Sequence, residues 1–387
     1  MIKVLFFSEW YPNRNNEMLG LFVRKHAQAV SLYCEVQVLY VQPSPELENL
    51  EMEQKQIGNI KETIVYFPAK SNSIFNKTFK QINYLRAYHK GWKTLKSSGF
   101  TPNIIHVNIL SRTGLVAYAI KLMTGIPFVI SEHWSRYLPL RNTYHGFLRK
   151  KTTNLVAKKA EAIFPVSENL KKAMLSHGIY NKNYKVVNNT VDDFFFEHVE
   201  RKANLKTRIL HVSCFDELAK NIKGILDVVK ELSKKRTDFE LVLVGSGIDY
   251  NEIFQYALSL GFPEGMIHFT GEKTPNEVAT YMQSSDFFVL FSNYENSPVV
   301  ISESLACGKP IISTDVGGIN EHINDSNGIL IPAKNKNALL ENLNYMLDHY
   351  KNYDAEVIRT TALEKFSANN VGALISNSYN DILKRHS

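Results

Sequence analysis

A chain of 387 residues, 44% hydrophobic and 21% charged, is long enough for two buried cores and ordinary in composition for a globular enzyme. It holds no apolar run near the ~20 residues that span a bilayer, and its opening residues 1–7 are too short for a secretory signal. Cys34, Cys214 and Cys307 are scattered, with neither a disulfide framework nor zinc spacing, so a cytoplasmic setting is expected.

Strands are predicted at 3–7, 36–41, 63–67, 104–107, 127–131 and 162–166 as short apolar runs, with a helix at 21–32 after the first. Between residues 63 and 160 stand sixteen Lys/Arg and one acid, Glu132, so this segment carries +15 of a net +7 and the remainder is acidic. Within it, residues 73–92 mix bulky apolar residues with cations, a pattern suited to a helix lying on an anionic membrane surface or packed on the domain core. No nucleic-acid-binding motif accompanies the charge, and none is expected to bind. A linker is expected at 192–206. A second alternating series follows, with strands at 208–212, 241–244, 267–270, 287–290, 311–313 and 328–331. Residues 371–383 read as an amphipathic helix. Two such series imply an α/β protein of two Rossmann-like domains with parallel sheets.

The stretch from Ser292 to Glu303 is the most informative. It follows a buried strand and precedes another that ends in Asp315-Val316-Gly317-Gly318. Ser297 is a candidate N-cap and Pro298 a candidate first helical residue. Glu295 then lies in the loop before the helix and Glu303 about two turns in. The free amides of Asn296, Ser297 and Val299 point outward at the positive end of the dipole. Anion-binding amides flanked by two carboxylates suit a ligand that is part phosphate and part polyhydroxyl, as a nucleotide sugar is.

On these residues the chain resembles the retaining GT-B glycosyltransferases, specifically glycosyltransferase family 4. The matching elements are Ser292, Glu295, Glu303, Ala306-Cys307-Gly308-Lys309-Pro310, Asp315, Gly317-Gly318, Glu321 and Asn327-Gly328. The resemblance implies two domains facing across a cleft, with an acceptor-binding domain at 1–197, a nucleotide-sugar domain at 198–363, and a last helix at 364–387 returning to the first. It implies that Glu303 holds ribose hydroxyls, and that Glu295, with the backbone of Asn296, Ser297, Pro298 and Val299, holds the donor sugar. Lys220 matches the family's diphosphate-neutralising lysine. Cys214 and Ser213 stand where an arginine and a glycine are usual, with Lys223 a partial substitute. Gly20 and Gly245 are the candidate phosphate-loop glycines, although Gly-x-Gly at 245–247 by itself signifies only a tight turn. His133 matches a histidine that approaches the donor sugar. His106, Asn108, Glu132 and His133 are the candidate acceptor side.

No Asp-x-Asp metal motif is in place, so no metal and no cofactor are expected beyond a UDP- or GDP-linked donor. The implied reaction is retaining transfer of a sugar to a saccharide or lipid-linked acceptor in cell-surface polysaccharide synthesis, at the inner face of the plasma membrane. A nucleotide-sugar epimerase and a non-catalytic nucleotide-sugar-binding protein stay open.

Overall fold

The structure is a computed structural model that describes residues 1–69, 74–139, 143–199 and 205–386, and only the backbone of 74–77. Ser73 of the amphipathic stretch, the side chains of 74–77 and residues 200–204 of the expected linker lie outside the described residues. The chain divides into two compact units. One comprises residues 1–166, 171–190 and 368–387; the other comprises 167–170 and 191–367.

The first unit opens with β1 (Lys3–Ser8), α1 (Leu21–Ser31), β2 (Glu35–Ser44), β3 (Glu51–Ile57), β4 (Ile60–Pro68) and α2 (Ile74–Ser97). It continues through β5 (Ile104–Asn108), α3 (Arg112–Thr124), β6 (Phe128–Glu132), α4 (Phe147–Lys159) and β7 (Ile163–Pro165), and α5 (Glu168–Ser176) follows. Its seven-stranded sheet has the order β3-β4-β2-β1-β5-β6-β7. All pairs are parallel except β3 with β4. The parallel strands are nearly continuous apolar runs because helices cover both faces. β3 was not predicted. Its sequence, Glu-Met-Glu-Gln-Lys-Gln-Ile, is polar and half exposed, and it turns into β4 through Gly58, whose φ of 54° suits glycine.

The second unit contains β8 (Thr207–Val212), α6 (Glu217–Lys220), α7 (Ile222–Ser233), β9 (Phe239–Val244), α8 (Tyr250–Ser259), β10 (Ile267–Gly271) and α9 (Pro275–Ser284). Then come β11 (Phe287–Leu290), α10 (Val299–Ala306), β12 (Ile311–Thr314), β13 (Gly328–Ile331), α11 (Lys336–His349) and α12 (Ala355–Phe366). Its six strands are ordered β10-β9-β8-β11-β12-β13 and all parallel. The strand order reverses between β8 and β11, and a crevice at the carboxyl ends of such strands is where α/β sheets take ligands.

The last helix, α13 (Ala368–Lys384), counts with the first unit and packs on α1. Val371, Ile375, Tyr379 and Ile382 line its buried face. Gly372 lies so close to α1 that a Cβ there would stand 2.1 Å from the Ala29 carbonyl oxygen. Among the described residues no helix is long and apolar enough to cross a membrane.

Candidate functional site

In the second unit, the loops after β8 and β11 meet at the strand-order reversal. Asn293 ties them: its amide donates to the Ala219 carbonyl (2.8 Å) and its side chain to the Leu218 carbonyl (2.9 Å). Between these anchors the Lys220 ammonium donates to Glu295 Oε1 at 2.5 Å. Ser292 Oγ donates to the same oxygen at 2.8 Å. Both partners of the ion pair are largely buried, with side chains 13% and 10% exposed.

Local sequence explains the placement of Lys220. Asp216 caps α6 by accepting from the Ala219 amide (3.2 Å). Asn221 ends the helix with φ 51°, a left-handed conformation that asparagine tolerates. Glu217 then accepts from the amides of Ile222 (2.8 Å) and Lys223 (3.1 Å), fixing the start of α7. Burial raises the Glu217 pKa, against the pull of those amides. Lys223, the partial substitute expected for the missing arginine, has its ammonium paired with the exposed Glu252 at 2.5 Å. Cys214 is exposed.

The Gly-Gly loop after β12 holds Glu295 from below. The Gly318 amide donates to the Asn296 carbonyl (2.8 Å). Gly317 has φ 64°, and a Cβ there would lie 2.1 Å from the Glu295 carbonyl oxygen. Only glycine permits that approach. Thr314 Oγ1 adds a bond to the Ser292 carbonyl (2.7 Å). Glu321 has a role its motif did not reveal: it accepts from the amides of Glu168 (2.7 Å) and Asn169 (2.8 Å), which count with this unit.

The α10 start differs from expectation. The helix begins at Val299 with Pro298 as N-cap and no side-chain cap bond, so Ser297 lies outside it. Proline forces the preceding residue out of helical conformation. Residues 293–300 remain half exposed; in the first turn of α10 the Ile301 amide bonds the Pro298 carbonyl (3.1 Å), and the amides of Val299 and Val300 precede any intrahelical acceptor. Glu303 is the fifth of eight helical residues, little more than a turn in, and 9% exposed.

Gly245 is corrected as a phosphate donor. Its amide is committed to the Gly271 carbonyl (2.9 Å). Its missing side chain answers a backbone approach, since a Cβ would stand 1.9 Å from the Ser213 carbonyl oxygen.

In the first unit, Gly20 caps α1 with φ 66°, its Cα against the Trp10 carbonyl. The acceptor-side candidates fare differently. His106, Asn108 and Glu132 are fully buried and present nothing to a ligand in this conformation. His106 bonds Tyr379 Oη through Nδ1 (2.5 Å) and Ser131 Oγ through Nε2 (2.8 Å). Asn108 reaches the Phe7 carbonyl (3.4 Å). Glu132 accepts from the amides of Leu110 (2.9 Å), His133 (2.9 Å) and Trp134 (2.8 Å), so it clamps the loops after β5 and β6 together. Burial raises the Glu132 pKa, and nearby Arg136 opposes that rise. His133 is half-buried as a residue, with its ring against Phe22 (4.6 Å) and His26 (5.2 Å). Burial holds its pKa well below the usual histidine range. Arg136, buried over Trp134 at 4.1 Å, was not singled out from sequence; its place beside the only acid of the basic segment was the available signal.

Two parallel-sheet Rossmann-like domains of this order form the GT-B architecture. Anabaena HepE (Alr3699), solved in complex with UDP, superposes with a TM-score of 0.74 at 16% identity, covering 98% of this chain and all of that one. Residues 26–193 match the profile "Glycosyltransferase Family 4" and residues 193–361 match "Glycosyl transferases group 1". The chain belongs to glycosyltransferase family 4. An uncharacterized glycosyltransferase of Methanocaldococcus jannaschii, MJ1178, is 29% identical over 69% of this chain and 71% of its own length. The N-acetylgalactosamine-N,N'-diacetylbacillosaminyl-diphospho-undecaprenol 4-alpha-N-acetylgalactosaminyltransferase of Campylobacter jejuni is 25% identical over 55% of this chain and 58% of its own.

Proposed function

We propose that this glycosyltransferase moves a sugar from a UDP- or GDP-linked donor, with retention of anomeric configuration, to a saccharide or lipid-linked acceptor in polysaccharide synthesis. The observation that carries the reading is the Lys220–Glu295 pair at the strand-order reversal, a cation and a carboxylate side by side with the start of α10. A diphosphate would take the lysine and the α10 amides, and sugar hydroxyls would take Glu295. Glu303 would take the ribose. The HepE complex with UDP and the undecaprenyl-linked substrate named for the Campylobacter relative support the donor and acceptor classes.

The reaction is read as metal-independent. Lys220 with backbone amides can carry the diphosphate charge that a metal would otherwise neutralise. The test is a thermal-shift and calorimetry panel of UDP-, GDP- and ADP-linked sugars in EDTA, with transfer followed in the same buffer. One nucleotide class should bind, and turnover should persist, with the product keeping the donor's anomeric configuration. Glu303→Ala should weaken the free nucleoside diphosphate about tenfold or more, since a charged hydrogen bond contributes roughly 1.5–3 kcal/mol. A panel without a binder would reject donor use. Rescue of an EDTA-silenced enzyme by Mg²⁺ would reject metal independence, and unchanged affinity in Glu303→Ala would reject the ribose role.

The +15 carried by residues 63–160 is read as facing an anionic membrane surface. Each cation near such a surface contributes roughly 1 kcal/mol. Vesicles of anionic lipid should therefore co-sediment the protein at low salt and release it at ~1 M, where the Debye length falls to ~3 Å. Equal retention on neutral vesicles would remove the membrane from this reading.

A further inference from the structure

A cavity lies wholly within the first unit, and no residue of the loops after β8 and β11 lines it. Its volume is about 360 Å³, and it runs between α2 and α3 over Phe7 of β1. That size falls within the range of small-molecule pockets. From α2, Gln81, Leu85, Tyr88 and Trp92 line it at single-stripe spacing; from α3, Leu115, Val116, Ala119 and Met123 do so. Its outer rim is unusually apolar for a surface, with Leu85 59% exposed and Met123 75% exposed.

Two further features define what would fill it. α2 and α3 together carry eight Lys/Arg and no Asp or Glu. The groove also has a direction. Arg112 lines it and marks the start of α3, immediately after the carboxyl end of β5. There Arg112 pairs with Glu9 (3.0 Å), which follows β1, and Ser111 Oγ donates to the same carboxylate (2.8 Å). The strand order of this sheet reverses between β1 and β5, where ligands of such sheets bind.

We propose that the α2–α3 groove holds the hydrocarbon tail of a phosphate-bearing lipid acceptor, with the headgroup delivered to the carboxyl edge of the first sheet. This rests on the lipid-linked acceptor reading and specifies where its tail goes. A second copy of the chain is a poorer occupant, because two such faces would bring like-charged helices together.

The test uses the full chain and three probes: dodecyl phosphate, dodecyl maltoside and inorganic phosphate, each titrated by calorimetry. Dodecyl phosphate should bind saturably with one site, dodecyl maltoside more weakly and inorganic phosphate not measurably. Ala119→Trp fills the groove from an exposed position, and Leu115→Glu puts a carboxylate into it. Both should weaken dodecyl phosphate about tenfold or more by displacing several methylenes from contact, with thermal unfolding and donor affinity unchanged. Dodecyl phosphate affinity equal to that of inorganic phosphate, or unaltered in both variants, would overturn the groove assignment while donor binding left the transferase reading standing. Failure of donor binding in the unaltered protein would count against that reading instead. Concentration-dependent dimers that both variants abolish, together with indifference to dodecyl phosphate, would assign the face to a second copy and overturn the proposal.

Discussion

Lys220→Ala is expected to lower turnover about 10²–10³-fold, the loss that follows removal of one preorganised stabiliser of a developing anion. The effect should fall mainly on the chemical step. In the empty protein Lys220 is bound to Glu295, so the ground-state diphosphate gains from the lysine only the difference between two charged partners. As the glycosidic bond breaks, negative charge grows on the leaving diphosphate and the balance shifts toward it. Nucleotide affinity should accordingly fall less than kcat. Folding should persist, because the loop is held by Asn293 on the carbonyls of Leu218 and Ala219, and neither bond involves the lysine side chain. Lys220→Arg keeps the charge and should recover part of the rate. Steady-state kinetics and calorimetry on the same preparations separate the two quantities. A loss of kcat under about tenfold would remove Lys220 from the diphosphate site.

The second large effect is on stability in acid. Burial depresses His26, His211 and His322 to about 4, whereas an unfolded histidine titrates near 6.5. Below about 6.5 the unfolded chain takes up protons that the folded chain refuses until pH nears 4, so stability falls as pH falls through this window. Each histidine is then responsible for a loss of about 3 kcal/mol by the bottom of the window. His26 acts in the first unit, joined by His106 and His133, whose pKa values burial also lowers. His211 and His322 act in the second. Losses of this size approach the whole stability of an ordinary domain, so both units should unfold before pH 4. Denaturant titrations at pH 7, 6, 5 and 4.5 would show the slope; a flat profile from pH 7 to 5 would contradict it.

Much of this arrangement was legible in the residues, and the failures have identifiable physical causes. Parallel strands buried on both faces are short apolar runs, so β11 and β13 were predicted at their observed bounds. β3 escaped because an exposed antiparallel edge needs no apolar residues. Glu295 and Lys220 were both singled out, but their direct contact joins residues 75 positions apart, which no local pattern encodes. His106 was expected at a strand end, and it lies instead in the middle of β5, the third of its five residues. Its burial is decided by Tyr379, 273 residues later on α13, so strand position alone suggested a ligand contact that the fold closes off. Glu132, the only acid in a basic segment, suggested acceptor recognition; three backbone amides claim it instead. At α10, Ser297 had the right chemistry for a cap, and the proline after it moved the helix start to Val299.

The borders of the two sheets bear on how such a protein survives at high concentration. An open strand with free amides and carbonyls invites another chain to add to it, and that is a common route to aggregation. β3 borders the first sheet with Glu51, Gln54, Lys55 and Gln56 exposed. At the opposite border β7 has three residues, ends in Pro165 and is covered where the Ile163 amide bonds the Asn183 carbonyl (2.9 Å). In the second sheet, β13 has four residues with Pro332 following, and the pairing of β10 is broken by an irregularity between Phe269 and Gly271. Each border is charged, short, covered or irregular, so a sheet rich in apolar strands offers little template for intermolecular strand addition.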